Sequence, residues 1–258
     1  MEMMTNLHIS KDSLDQWLCQ MISENIRVFA PVLQGHNVDF RLLSSGDRVA
    51  ENYIQTTQSV KRFAFPKAEE LFSYQKEGKD IVLKERDLDD MPETVLWKVH
   101  PCDAAGFAPL GGIFNWDYKD NLYNTRRSKI ILVSFSCICC DDACFCTSVQ
   151  GGPGNTSGSD IQITELPDQS FLVELLTSRG EALFKRFVKE AAPADNIQKE
   201  KYLADVPVYF NLDKLKQKLA SAFDSPIWKQ QSERCLGCGA CAFVCPCLLY
   251  TSPSPRDG

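Results

Sequence analysis

Apolar residues at Leu14, Trp17, Leu18, Met21 and Ile22 recur at the spacing of one helix face. Ser10 stands where an N-cap belongs. The rhythm then changes to that of strands. Residues 26–32 form an apolar run with the character of a buried strand, and 38–43 form its expected hairpin partner across Gln34, Gly35, His36 and Asn37. Pro66 at a first helical position predicts a helix over 67–74. Segments 81–84 and 94–99 read as strands. After His100 the chain turns small and glycine-rich through Gly112, which predicts a tight turn and a short, closely packed helix. Residues 129–136 make a strongly apolar strand that runs into a cysteine-rich loop. A strand pair is expected over 161–166 and 171–176, turning at Pro167 and Asp168, with helices over 180–191 and 211–223. No internal repeat is visible.

This alternation predicts an α/β main domain with a mixed sheet over residues 1–225. Ser225 and Pro226 mark a boundary, beyond which 226–246 reads as the first half of a ferredoxin-like two-cluster module.

Composition narrows the picture. The 258 residues are 44% hydrophobic and 24% charged, with a net charge of −6. Such a length buries a core without help from metals, so bound metal is expected to be functional. Basic residues are scattered, which argues against nucleic acid as a partner. The N-terminus lacks the basic flank and apolar centre of a signal peptide. The longest apolar run, 130–140, is too short to cross a bilayer. A cytoplasmic location without membrane insertion is expected.

Twelve cysteines carry the chemistry. Cys235, Cys238, Cys241 and Cys245, followed by Pro246, have the C-x2-C-x2-C-x3-C-P spacing of ferredoxin [4Fe–4S] ligands. Three thiolates two residues apart wrap one compact cluster, and Gly237, Gly239 and Ala240 leave room for backbone N–H groups to approach sulfur. Zinc more often takes two separated ligand pairs. In two-cluster ferredoxins the fourth cysteine serves the other cluster, so this half-motif is incomplete by itself. From Cys247 onward the sequence resembles the conceptual translation of a sequencing adapter. The expectation is therefore a gene fragment with a non-native tail over 247–258.

A second group lies mid-chain. Cys102 follows one predicted strand; Cys137, Cys139, Cys140, Cys144 and Cys146 follow another. Neighbouring strand ends would bring the two loops together as a four-thiolate metal site. Spacing alone leaves open an iron–sulfur cluster, zinc, or buried free cysteines. Asp141 and Asp142 read as a solvated loop face. The loop at Gly151–Gly154 lacks a P-loop lysine and serine, and no dinucleotide fingerprint is present.

Together these features resemble the beta-subunit family of cytosolic hydrogenases and sulfhydrogenases, which includes an iron–sulfur component of anaerobic sulfite reductase. The resemblance rests on Ala30-Pro31-Val32, on Lys61 to Glu69 with Phe65-Pro66, and on Pro101-Cys102-Asp103. It continues through Asp120 to Tyr123, Arg126, Arg127, Cys144-Phe145-Cys146 and Asp160, and closes on Cys235 to Pro246. It implies an iron–sulfur electron-transfer subunit with no substrate chemistry of its own, working between a flavin subunit that binds FAD or NAD(P) and the catalytic subunit of a complex. It favours Cys102, Cys137, Cys144 and Cys146 as the middle set. The alternatives are the anaerobic sulfite reductase complex and, in another class, a zinc-binding interaction or regulatory protein. Lys61, Glu69, Arg126 and Arg127 read as surface or structural pairing, with a role toward a partner or cluster as the alternative. His8 and His36 read as polar surface, and His100 as structural or as a neighbour of the metal site. Trp97, Trp116 and Trp228 read as core.

Overall fold

A computed structural model describes residues 5–194 and 196–250. Most of the expected tail, 251–258, and the first four residues of the N-terminal stretch lie outside the described residues.

The chain runs β1 (Thr5–Ile9), α1 (Lys11–Ser23), β2 (Arg27–Gln34), β3 (Asn37–Leu42), a 3-10 turn (Val60–Phe63), β4 (Phe72–Glu77) and β5 (Asp80–Glu85). It continues through β6 (Thr94–Val99), α2 (Pro101–Ile113), α3 (Asn121–Ser128) and β7 (Ile130–Phe135). Next come β8 (Ile161–Glu165), β9 (Phe171–Leu175), α4 (Ser178–Phe187) and β10 (Ala192–Pro193). The described chain ends with α5 (Leu212–Ala220), α6 (Pro226–Ser232) and α7 (Ala240–Val244).

Eight strands form one mixed sheet in the order β10-β1-β9-β8-β7-β6-β2-β3. The centre, β8-β7-β6-β2, is parallel, and the flanking pairs are antiparallel. A parallel centre must be covered on both faces. Alternate side chains do this. Val95, Trp97, Val133, Ile161 and Ile163 point to the face covered by α1 and α4, where Trp17, Met21 and Phe184 pack. Trp17 meets Trp97 edge-on at 4.9 Å between ring centroids and Phe184 at 5.3 Å. Leu96, Leu132 and Ile130 point the other way, against Phe107 and Leu110 of α2 and Tyr123 of α3.

One irregularity positions the cysteines. Lys98 has a φ of 62°, and the β6–β7 register shifts there. A lysine in that region is uncommon. Its ammonium donates to the carbonyls of Ala50 (2.9 Å) and Glu51 (2.5 Å), and its own carbonyl accepts from the Tyr53 hydroxyl. The bulge breaks the alternation, so Val99 joins the same face as Leu96. α2 then starts on that side, with Pro101 at its first position.

α1 forms as its spacing predicts, and the Ser10 side chain accepts from the Ser13 N–H. The β2–β3 hairpin and the β8–β9 pair also match. The helix expected over 67–74 does not form. Phe72–Glu77 pairs instead with Asp80–Glu85 in a separate two-stranded sheet, turning at Gly78 with a φ of 65°. That pairing supplies the backbone with partners that a helix opened by Pro66 would have had to find alone. Trp97 is core, but Trp116 is 83% exposed and Trp228 48% exposed. Trp116 lies in the turn after α2, and Trp228 on α6, where no buried residue is found.

Candidate metal centre

Cys102 occupies the first turn of α2, directly beyond β6. Cys137 lies two residues beyond the end of β7, the strand beside β6. Parallel pairing thus puts both at the same edge of the sheet, the edge where open α/β folds usually place their chemistry. The loop carrying Cys144 and Cys146 folds back over this edge. The Cys137 N–H donates to the Pro153 carbonyl at 2.9 Å, and the Ala204 N–H donates to the Cys137 carbonyl at 2.8 Å. Residues 205–209 brace the rest: Thr147 donates to the Pro207 carbonyl (2.9 Å), and the Tyr209 N–H to Ser148 Oγ (2.8 Å).

The thiols feel one another. Burial pushes the Cys137 thiol far above its ordinary range, and the neighbouring Cys102, Cys146 and Cys144 push it further. Burial, Asp103 and Cys146 push Cys102 up to about 12. Cys102 keeps one side open to solvent while protein crowds the others. Burial also raises Cys144 and Cys146. The Cys144 thiol donates to Asp141 Oδ1 at 3.3 Å. Mutual repulsion among four thiolates is what a cationic metal core removes, so the donor set suits a soft metal or cluster. The thiols converge without closing: among the described residues no three His, Cys, Asp or Glu side chains already form a group able to hold a metal ion.

Cys139 is exposed, and the Cys140 thiol points at the Asp205 carbonyl at 3.6 Å. Asp141 and Asp142 are exposed, as the sequence suggests. His100 caps the group from below. Its Nδ1 lies 3.5 Å from Cys137 Sγ, its ring packs on Tyr53 at 4.2 Å, and its Nε2 is buried without a partner among the described residues. Burial lowers its pKa to about 4, so the imidazole is neutral at pH 7.

The C-terminal cysteines are arranged differently. Cys235, Cys238 and Cys241 are exposed on the turns around α7; Cys245 and Cys247 are half-buried, with sulfurs 3.2 Å apart. The Gly237 N–H points at Cys235 Sγ at 3.4 Å, one of the backbone-to-sulfur approaches expected from the small residues. Among the described residues, 226–250 contain α6 and α7 and no strand.

Lys61 links the two regions. Its sequence context suggests a surface or structural pair; the structure buries it completely. Its ammonium donates to the carbonyls of Ala242 and Leu248, both at 2.7 Å, and lies 4.4 Å from the centre of the Tyr250 ring. Burial lowers its pKa, and the Cys245 and Cys247 thiols oppose that shift. Pro246 meanwhile sits on Gly106 of α2, where an added Cβ would fall 2.8 Å from the proline ring. No local sequence signal could have found these contacts, which span 181 and 187 residues for Lys61.

Other family-like residues are fastenings. Asp160 is buried and accepts from the Leu132 N–H (2.9 Å), the Thr177 hydroxyl (2.7 Å) and Arg179 (3.0 Å). Arg127 donates to the Ile130 carbonyl at 3.1 Å, and Arg126 pairs with Glu69. His8 is not free surface: its Nε2 bonds Ser170 Oγ at 2.7 Å.

No known family model matches the chain. The chain is similar to the sulfhydrogenase 2 subunit beta of Pyrococcus furiosus, with 30% identity over 232 residues, covering 87% of this chain and 67% of that protein. No helix among the described residues is long and apolar enough to cross a membrane.

Proposed function

The chain belongs to the family of the sulfhydrogenase beta subunit, and from that premise we propose that it is an iron–sulfur electron-transfer subunit of a multi-subunit oxidoreductase. The observation that carries the reading is the convergence of Cys102, Cys137, Cys144 and Cys146 at one edge of the parallel sheet.

These four thiolates would hold a [4Fe–4S] cluster, which supplies reversible one-electron storage. Cys235, Cys238, Cys241 and Cys245 would serve as ligands in a ferredoxin-type module, which residues 226–246 begin. The protein's own contribution is placement and environment. α2 and the loop after β7 hold the sulfurs at one edge, burial keeps water from part of them, and His100 presents Nδ1 to Cys137. Lys61 sets a positive charge beside Cys245. No residue in either group is arranged to activate a substrate, so bond-making belongs to other subunits. Those partners are a flavin subunit that delivers or accepts electrons and a catalytic subunit of the hydrogenase type. The likeness to a sulfhydrogenase component favours that complex over a sulfite reductase one.

Anaerobic purification tests the reading. A brown protein with broad absorption near roughly 400 nm, lost on exposure to air, is expected. A colourless preparation containing zinc and no iron overturns it in favour of a zinc-stabilised module.

A further inference from the structure

The segment 62–70 and Arg126 stand out in the sequence, yet electron transfer uses neither. They meet at the opposite end of the sheet from the cysteines, in a cavity of about 350 Å³. Arg27, Thr94 and Ile130, the first residues of β2, β6 and β7, form its floor. Strands of six residues at about 3.3 Å each separate it from the cysteine edge by about 20 Å.

Two kinds of group line it. Phe29 and Phe63, with ring centroids 4.7 Å apart, make an aromatic wall, and Met91 and Pro92 extend the apolar surface. Four guanidinium groups, from Arg27, Arg62, Arg86 and Arg126, face two carboxylates, from Glu69 and Glu70. The charges are not a mobile surface fringe. Arg126 is held by the Ala64 carbonyl (2.8 Å) and by Glu69, and their side chains are only 15% and 17% exposed. Glu69 also reaches Arg86 at 3.4 Å. Arg62 is held by Gln58 at 2.8 Å and by the Phe40 carbonyl. Burial lowers the pKa of both Arg62 and Arg126, a strain that a bound anion would relieve. Arg27 is different. Its guanidinium lies 5.6 Å from the centre of the Phe29 ring and has no hydrogen-bond partner among the described residues. The cavity therefore offers one uncommitted cation over an aromatic ring, within a fixed surround carrying two positive charges in excess.

We propose that this cavity binds a small organic oxyanion, a phosphate ester or carboxylate on a flat apolar body, with Arg27 gripping the anionic head and Phe29 and Phe63 packing the body. The volume is that of a small-ligand pocket. A planar guanidinium fork suits either oxyanion. The space admits a ring and one head group, which excludes a folded macromolecule as occupant. The site is independent of the electron-transfer reading and stands or falls without it.

Calorimetric titration of the full chain with phenyl phosphate, benzoate, inorganic phosphate and phenol tests the proposal. Phenyl phosphate or benzoate is expected to bind at least tenfold more tightly than inorganic phosphate and than phenol. The tighter of the two anions identifies the head group. Arg27→Gln should weaken that binding about tenfold or more, the loss of one charge-assisted hydrogen bond. Ala68→Trp, which fills the cavity from its exposed rim, should abolish it. Circular dichroism confirms that both variants are folded. The proposal is overturned if the ring-bearing anions bind no better than their separate halves. It is equally overturned if folded Arg27→Gln and Ala68→Trp bind as the parent does.

Discussion

The ring of Pro246 rests on the α-carbon of Gly106, one helical turn along α2 from Cys102. Residues four apart on a helix share a face about 6 Å apart along its axis. One helix thus carries a thiol of the middle group and the seat of the C-terminal segment. Gly106→Val should push Pro246 away, an overpacking worth about 1–3 kcal/mol. Amide hydrogen exchange over 240–250 should quicken about tenfold while β6 and β7 stay protected. Unchanged exchange in the C-terminal segment would show that the seat does not hold it.

Lys61→Met keeps the length of the side chain and removes its three donors. The carbonyls of Ala242 and Leu248 then lose a partner, at a cost of roughly 1–3 kcal/mol for each that stays buried. The segment should detach before the main domain melts, so urea unfolding should become biphasic. A single transition at the parent's midpoint would refute this.

Cys144→Ser and Cys146→Ser should each lower iron content in anaerobically purified protein, and Cys19→Ser should not. Cys19 lies exposed on α1, away from the cysteine edge. Equal iron in all three variants would remove the middle cluster from the account.

Asp160 ties β7, β8 and the start of α4 together through one buried carboxylate. Asp160→Ala should destabilise the fold by about 2–4 kcal/mol, since it strands a backbone N–H and loosens Arg179. Asp160→Asn, which keeps an acceptor for Leu132, should cost less. The midpoint of chemical denaturation measures both, and a cost below about 0.5 kcal/mol for the alanine variant would contradict the role.

The main sheet was legible where burial is one-sided and local. Leu14, Trp17 and Met21 announce α1 because their spacing faces a single core. Segments 94–99 and 130–135 announce buried parallel strands because nearly every side chain in them is apolar. β4 was illegible for the opposite reason: Phe72 and Tyr74 are 57% and 70% exposed, so no core shaped their pattern. The bulge at Lys98 leaves no sequence trace either, because a positive φ at lysine is set by its ammonium reaching Ala50 and Glu51. The middle cysteines could be grouped from their places after two strands, and the family likeness chose among six. Their bracing by 204–209 and the burial of Lys61 depend on contacts too distant in the chain for pattern reading.

The brace that closes the cysteine loop also sets a timetable. At about 5–20 residues per second of synthesis, the roughly sixty residues between Cys146 and the bracing segment take about 3 to 12 s to emerge. Until Ala204 reaches the Cys137 carbonyl and Tyr209 reaches Ser148, the loop hangs from β7 by one end. All six cysteines between 102 and 146 are then outside the ribosome with nothing fixing their neighbours. The newborn chain, more than the finished one, is where a wrong disulfide would form, and a reducing surrounding matters most in those seconds.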